Sequence, residues 1–248
     1  MISQHCSDQV SDIYDNSHIN ATNLALFLQQ AALRTSDASG IWLLLAKYLA
    51  PSQTHDNDTQ TDIFHKITSI LTSLIRLRRD LVIHSLPHLG LILRQLLLLT
   101  RACRPNLGAK QTALVTSTQP RWISFKQPLG ADEAKALGRL LESLNTKTTI
   151  RVPTSSPLET QKAESLAKPF SKHAAYVLKA YIEAMNDPLC ILPLDVRKEL
   201  QPGLFTLCGM MNEHSRDALM VSALNVGGKE TMKALWKEYD KQRYVGRG

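Results

Sequence analysis

The sequence predicts an all-α protein, a HEAT-like array of antiparallel helices with a long central loop. Three observations lead there. Leucine recurs throughout the 248 residues while aromatics make up only 6%, a bias that favours helix over strand. Apolar side chains return at the 3.6-residue period in six or seven segments, and none alternates like a strand. Apolar residues reach 44%, enough for a sizeable core, which excludes wholesale disorder.

The first predicted helix runs from about Asn20 through LALFLQQAALR, and a short apolar helix, GIWLLLAKYLA, follows and stops at Pro51. Residues 51–60 are a polar loop. Thr61 and Asp62 are good capping residues for a third helix, whose Ile63, Ile67, Ile70, Leu71, Leu74 and Leu77 share one face. His84-Ser85-Leu86-Pro87 marks a break, with Pro87 tolerated in the first turn of the next helix. That helix, PHLGLILRQLLLLTRACR, is apolar on nearly all sides, so Leu93, Leu96 and Leu97 should be buried. Two long helices joined by a tight turn look like one unit of a helical repeat, although no period continues through the chain.

Residues 104–130 hold three prolines and two glycines with a Thr/Ser cluster, the signature of a loop, and one long enough to be a functional or mobile insert. Trp122, Ile123 and Phe125 are its candidate anchors. Helix resumes at Ala131-Asp132-Glu133, whose acids suit the positive end of the helix dipole. A second loop, TKTTIRVPTSSP, follows. Ser171 is the expected cap of SKHAAYVLKAYIEAM, with Ala175, Leu178, Tyr181 and Ile182 on one face. A helix over about Leu194–Glu213 should kink or divide at Pro202-Gly203. A short helix over Arg216–Leu224 and a last one over Glu230–Arg243 close the chain, with Gly227-Gly228 as the hinge between them. The expected organisation is one domain over residues 15–243, with helix pairs in 20–103, the loop 104–130 and a helical part 131–243. Residues 1–14 and 244–248 are expected to be flexible ends.

Charge is uneven. The net charge is +7, but residues 1–60 carry −4 and the remainder +11, and Arg76 to Lys110 hold seven basic residues against Asp80 alone. Such an imbalance favours contact with phosphate. Arg76, Arg78, Arg79, Arg94 and Arg101 are one candidate RNA or partner surface. Arg76 and Arg79 share a face, and at least one of the three clustered arginines should pair with Asp80 or cap its helix. Lys233, Lys237 and Lys241 are the second candidate, with Lys229 the first of a row repeating every four residues around the last helix. Met232, Leu235, Trp236 and Tyr239 form an apolar stripe on that helix, best read as its docking face.

Catalytic and cofactor chemistry find no home in the sequence. Val226-Gly227-Gly228-Lys229-Glu230-Thr231 lacks the first glycine of a phosphate loop and has Glu230 where Ser or Thr belongs. The eight histidines form no metal-binding pattern; His84 and His88 are four apart but Pro87 interrupts them. Cys6, Cys103, Cys190 and Cys208 form no CxxC pair, which suits a reducing compartment. No GxSxG elbow occurs. Lys47 and Arg94 interrupt the two most apolar runs, so neither suits a membrane span. The expectation is a soluble intracellular protein, not an enzyme, with no cofactor, no metal, no small-molecule substrate and no membrane contact.

Three stretches together carry a resemblance: LTSLIRLRRDLVIHSLPHLGLILRQLLLL (71–99), AKPFSKHAAYVLKAYIEAM (167–185), and PLDVRKELQPGLFTLCGMMNEHSRDALMVSALNVGGKETMKALWKEYDK (193–241). They resemble the C-terminal domain of the fungal nucleolar large-subunit pre-ribosomal RNA processing proteins, known as unhealthy ribosome biogenesis protein two or nucleolar preribosomal-associated protein two. The resemblance covers about residues 15–243; the closing Tyr244-Val245-Gly246-Arg247-Gly248 departs from it. It implies a non-catalytic helical scaffold of early large-subunit precursors in the nucleolus. The partners it implies are sister scaffold proteins and a DEAD-box helicase, with pre-rRNA contact in addition. The competing reading is a HEAT-type protein-binding adaptor that touches no RNA.

Overall fold

The computed structural model describes residues 35–52, 59–149 and 163–245. Among them the α-helices are α1 Thr35–Tyr48, α2 Thr61–Leu77, α3 Arg79–Ile83, α4 Leu86–Leu99, α5 Ala109–Thr116, α6 Ala131–Ser143, α7 Ala167–Met185, α8 Leu194–Met210, α9 Glu213–Ala218 and α10 Val226–Val245. A π-helical turn, Leu219–Ala223, continues directly from α9. Strand structure among these residues is limited to two short antiparallel pairs: β1 Ala102–Cys103 with β4 Cys190–Ile191, and β2 Thr148–Thr149 with β3 Ala163–Glu164. The chain is all-α, as its periodicity predicts. The helix expected over 20–34 lies outside the described residues.

The packing order differs from the chain order. α6 lies between α2 and α8, α8 also packs on α7, and α7 covers α4, which α1 touches from another side. A solenoid stacks each unit on the next; here the largest contacts join helices distant in sequence. α2 and α4 therefore do not form a self-contained repeat unit, since α2 rests chiefly on α6 and α4 on α7. The reason is the composition of α4: an apolar surface on nearly every side gains from any neighbour. Leu93, Leu96 and Leu97 are buried in the common core with Phe64, Phe170 and Leu200.

Local chemistry fixes several boundaries differently from the sequence reading. α7 starts at Ala167, four residues before the expected cap, and the Ser171 hydroxyl donates to the Lys168 carbonyl inside the helix (2.7 Å). α8 runs unbroken through Pro202. Its buried Leu200, Leu204 and Leu207 hold both sides of the proline against the core, and tertiary burial outweighs the missing backbone hydrogen bond. α10 begins at Val226, so Gly227 and Gly228 form its first turn and are not a hinge. Asn225 Oδ1 accepts from the Gly228 amide (2.8 Å), a capping bond. A Cβ on Gly227 would sit 2.7 Å from Asn186 Oδ1, so this turn meets the end of α7 without side chains. α6 begins where expected, and Glu133 accepts from the Gly130 amide (2.8 Å).

The 104–130 segment is more ordered than a loop. It contains α5, and it is stitched across the α1–α2 connection. Trp122 and Ile123 are buried, and the Trp122 indole donates to the Tyr48 carbonyl (2.8 Å). The Gln60 amide donates to the Trp122 carbonyl (3.0 Å), and the Ser124 amide donates to Thr59 Oγ1 (2.9 Å). Phe125 stays exposed.

Candidate functional site

Four of the five arginines of the first candidate surface are engaged within the fold. Arg79 is 3% exposed. Its guanidinium donates to the Glu164 carbonyl and to the Thr146 carbonyl (3.0 Å), clamping the β2–β3 pair onto α3. Burial lowers its pKa. Arg78 pairs with Asp80 (3.0 Å), the partner its spacing suggests. Arg94 reaches from α4 to Glu183 on α7 (3.3 Å) and lies over the Tyr176 ring at 5.5 Å. Arg101 pairs with Asp187 (2.6 Å) and donates to the Leu98 carbonyl (2.8 Å). Asp187 accepts as well from the Leu189 and Cys190 amides (2.8 and 3.2 Å), joining the ends of α4 and α7. Arg76 is exposed.

The Arg94 and Arg101 pairs link α4 and α7. Arg94 and Arg101 line a cavity of about 520 Å³ in which Lys179 adds a third cation and Glu183 and Asp187 supply carboxylates. All three cations are already paired with these carboxylates, which leaves the site little free attraction for phosphate. Periodicity places a residue on a helix face but cannot say what stands opposite. For Arg94 and Arg101 the opposing carboxylates lie 89 and 86 residues away along the chain.

α10 differs. Met232 and Leu235 are buried against the body, and Trp236 and Tyr239 are half-buried, so the stripe docks the helix as its spacing suggests. Tyr239 packs on Phe205 (ring centroids 6.0 Å) and Trp236 on Tyr239 (5.4 Å). Lys233, Lys237 and Lys241 are exposed. Lys233 pairs with Glu230 (2.8 Å), whereas Lys237 and Lys241 have no ion-pair partner among the described residues.

The stripe also does something its spacing does not show. Between α10 and the α9–π segment lies an open groove of about 1110 Å³, with Met220, Val221 and Trp236 as its apolar surface and the buried Met232 behind them. Val221 is 78% exposed. Arg216 covers one face of Trp236, its guanidinium 5.3 Å from the ring centroid, and is itself held by Asp217 (3.1 Å). Only Met220-Val221, two apolar residues beside Arg216-Asp217 and Ser222, hint at this in the sequence.

Among the described residues no group of three or more His, Cys, Asp or Glu side chains could hold a metal ion. His88 stacks near Trp42 (6.4 Å), while His84 lies exposed one turn before it. No helix among these residues is long and apolar enough to cross a membrane. A protein-family model described as the Urb2/Npa2 family matches residues 18–247.

The chain belongs to the Urb2/Npa2 family. Family membership gives it a role in ribosome biogenesis, with the pre-ribosomal particle as its setting and the nucleus as its location. The match spans the three stretches that carried the resemblance, along with the segments between them. No curated protein and no solved structure matches the chain.

Proposed function

We propose that this Urb2/Npa2 domain is a non-catalytic helical scaffold in the nucleolus, acting in early large-subunit precursor assembly and pre-rRNA processing. Its partners are sister scaffold proteins and a DEAD-box helicase of the particle. The observation that carries this is the family match over residues 18–247. The structure adds support, because its interhelical ion pairs make a body that holds surfaces in fixed relation. Exposed Arg76 supplies a cationic side chain for pre-rRNA phosphates, and exposed Lys237 and Lys241 supply cations for a partner protein.

The second reading, a protein-binding adaptor without RNA contact, is favoured by the arginines: Arg78, Arg79, Arg94 and Arg101 are all engaged within the fold. Crosslinking and sequencing of RNA bound to the tagged full chain, alongside gradient sedimentation, separates the two. Crosslinks to large-subunit precursor RNA support the scaffold with RNA contact. Co-sedimentation with large-subunit precursors but no crosslinks supports the adaptor. A chain in neither fraction overturns both.

A further inference from the structure

We propose that the groove between α10 and the α9–π segment docks an acidic amphipathic helix from a partner protein. This rests on the scaffold reading and names the kind of partner that one face of the scaffold takes. Helix-in-groove recognition needs an apolar trough about one helix wide, with polar groups at its edges. Met220, Val221 and Trp236 supply the trough, with the buried Met232 behind them. Methionine suits the task because its unbranched thioether adapts to the side chains that enter.

Charge selects the occupant. Four cations line the groove, Arg216, Lys233, Lys237 and Lys241, against two carboxylates, Asp217 and Asp240. Arg216 is neutralised by Asp217 and Lys233 by Glu230. Lys237 and Lys241 remain, one turn apart and in no ion pair among the described residues, with Asp240 as the only groove-lining carboxylate between them. This rim keeps a net positive charge that complements glutamates or aspartates flanking the apolar face of an incoming helix. Nucleic acid fits less well. A base would stack on Trp236, but Arg216 covers one face of that ring and α10 packs the ring on Tyr239. The remainder of the trough is aliphatic, which offers a base no stacking platform.

Within the π segment Val221 stands 78% exposed while Leu219, two residues before it, is buried. Single-turn π segments concentrate at functional sites. An exposed valine beside a half-buried methionine and tryptophan is a surface awaiting cover.

The test uses the purified full chain and a labelled synthetic helical peptide of about 18 residues, roughly 27 Å of helix. Its leucines are spaced for one face and flanked by glutamates; a lysine-flanked twin and a scrambled peptide are controls. Fluorescence anisotropy should show the glutamate peptide bound and the other two weaker by about tenfold or more. Val221→Glu lies at an exposed position, so circular dichroism should be unchanged while binding falls by about tenfold or more. Lys237→Glu with Lys241→Glu should reverse the preference toward the lysine peptide. The proposal is overturned if all peptides bind alike, or if Val221→Glu leaves binding intact. It is also overturned if the chain self-associates through this face, seen as sedimentation that depends on concentration and is abolished by Val221→Glu. Loss of RNA binding in the lysine double variant, with no peptide binding by wild type, assigns the face to nucleic acid instead. Precursor co-sedimentation of the wild-type chain is read separately: its absence defeats the scaffold reading whatever the peptide does, and its presence without peptide binding defeats the groove alone.

Discussion

Gly138 of α6 and Gly203 of α8 meet backbone to backbone, and neither position has room for a side chain. A Cβ on Gly203 would lie 2.7 Å from the Gly138 carbonyl oxygen and 3.0 Å from Gly138 Cα. A Cβ on Gly138 would lie 2.6 Å from the Glu199 carbonyl oxygen. Backbone atoms cannot swing aside as a flexible side chain does, so any added atom pushes the helices apart.

Alanine at either glycine should therefore destabilise the protein by about 1–3 kcal/mol, even though alanine is the better helix former. Gly90 of α4 is the contrast. A Cβ there would meet His173 Cβ at 3.5 Å, ordinary contact, so Gly90→Ala should be neutral or stabilise by up to about 1 kcal/mol. Urea titrations of the three variants check the opposite signs. A neutral Gly203→Ala would show that α6 and α8 do not approach this closely.

Arg79 and Arg76, three residues apart, should respond differently. Arg79→Ala removes a buried guanidinium that serves two carbonyls and should cost about 2–4 kcal/mol. Exposed Arg76→Glu should change stability by less than about 0.5 kcal/mol. If Arg76 meets pre-rRNA phosphate, its reversal should also weaken binding to a structured RNA and flatten the salt dependence. The measurement is RNA affinity at several salt concentrations, with thermal melts confirming the fold.

Burial lowers the pKa of His173, with the Lys172 charge as the smaller cause. The native state then holds this ring neutral at a pH where the unfolded chain protonates it. Below the ordinary value of 6.5 the unfolded state binds more protons, so stability falls as pH drops and is fully present above that value. His173→Gln should flatten the stability profile between about pH 7.5 and 5.5. Denaturant midpoints across that range give the comparison, and an unchanged profile would place the imidazole in solvent.

The thiols should be inert in the folded protein. Burial pushes Cys190 up to about 11 and Cys208 up to about 12. Cys190 stands directly opposite Cys103 across the β1–β4 pair, yet all three described cysteines are free thiols. Alkylation by iodoacetamide near pH 8, followed residue by residue by mass spectrometry, should be slower at Cys190 and Cys208 than in urea by about a hundredfold or more. Equal rates would mean that these sites open easily.

Most helices, their apolar faces and the buried leucines of α4 were legible because a 3.6-residue period is a local property. So was the pairing of Arg78 with Asp80, two residues away. α5, inside the stretch read as a loop, was not legible. The family could also be read from the chain, because its phrases persist in order along the sequence. Tertiary structure alone decided which helices touch, and therefore which charges meet. Arg79 turns inward because the Thr146 and Glu164 carbonyls lie within its reach. Pro202 remains within a helix because the core grips both sides, and Gly227-Gly228 stiffens into a first turn because Asn225 caps it. The groove beside α10 arises in the same way, from where the α9–π segment lies relative to α10. Periodicity records which side of a helix avoids water; contacts across the chain depend on where the other helices lie.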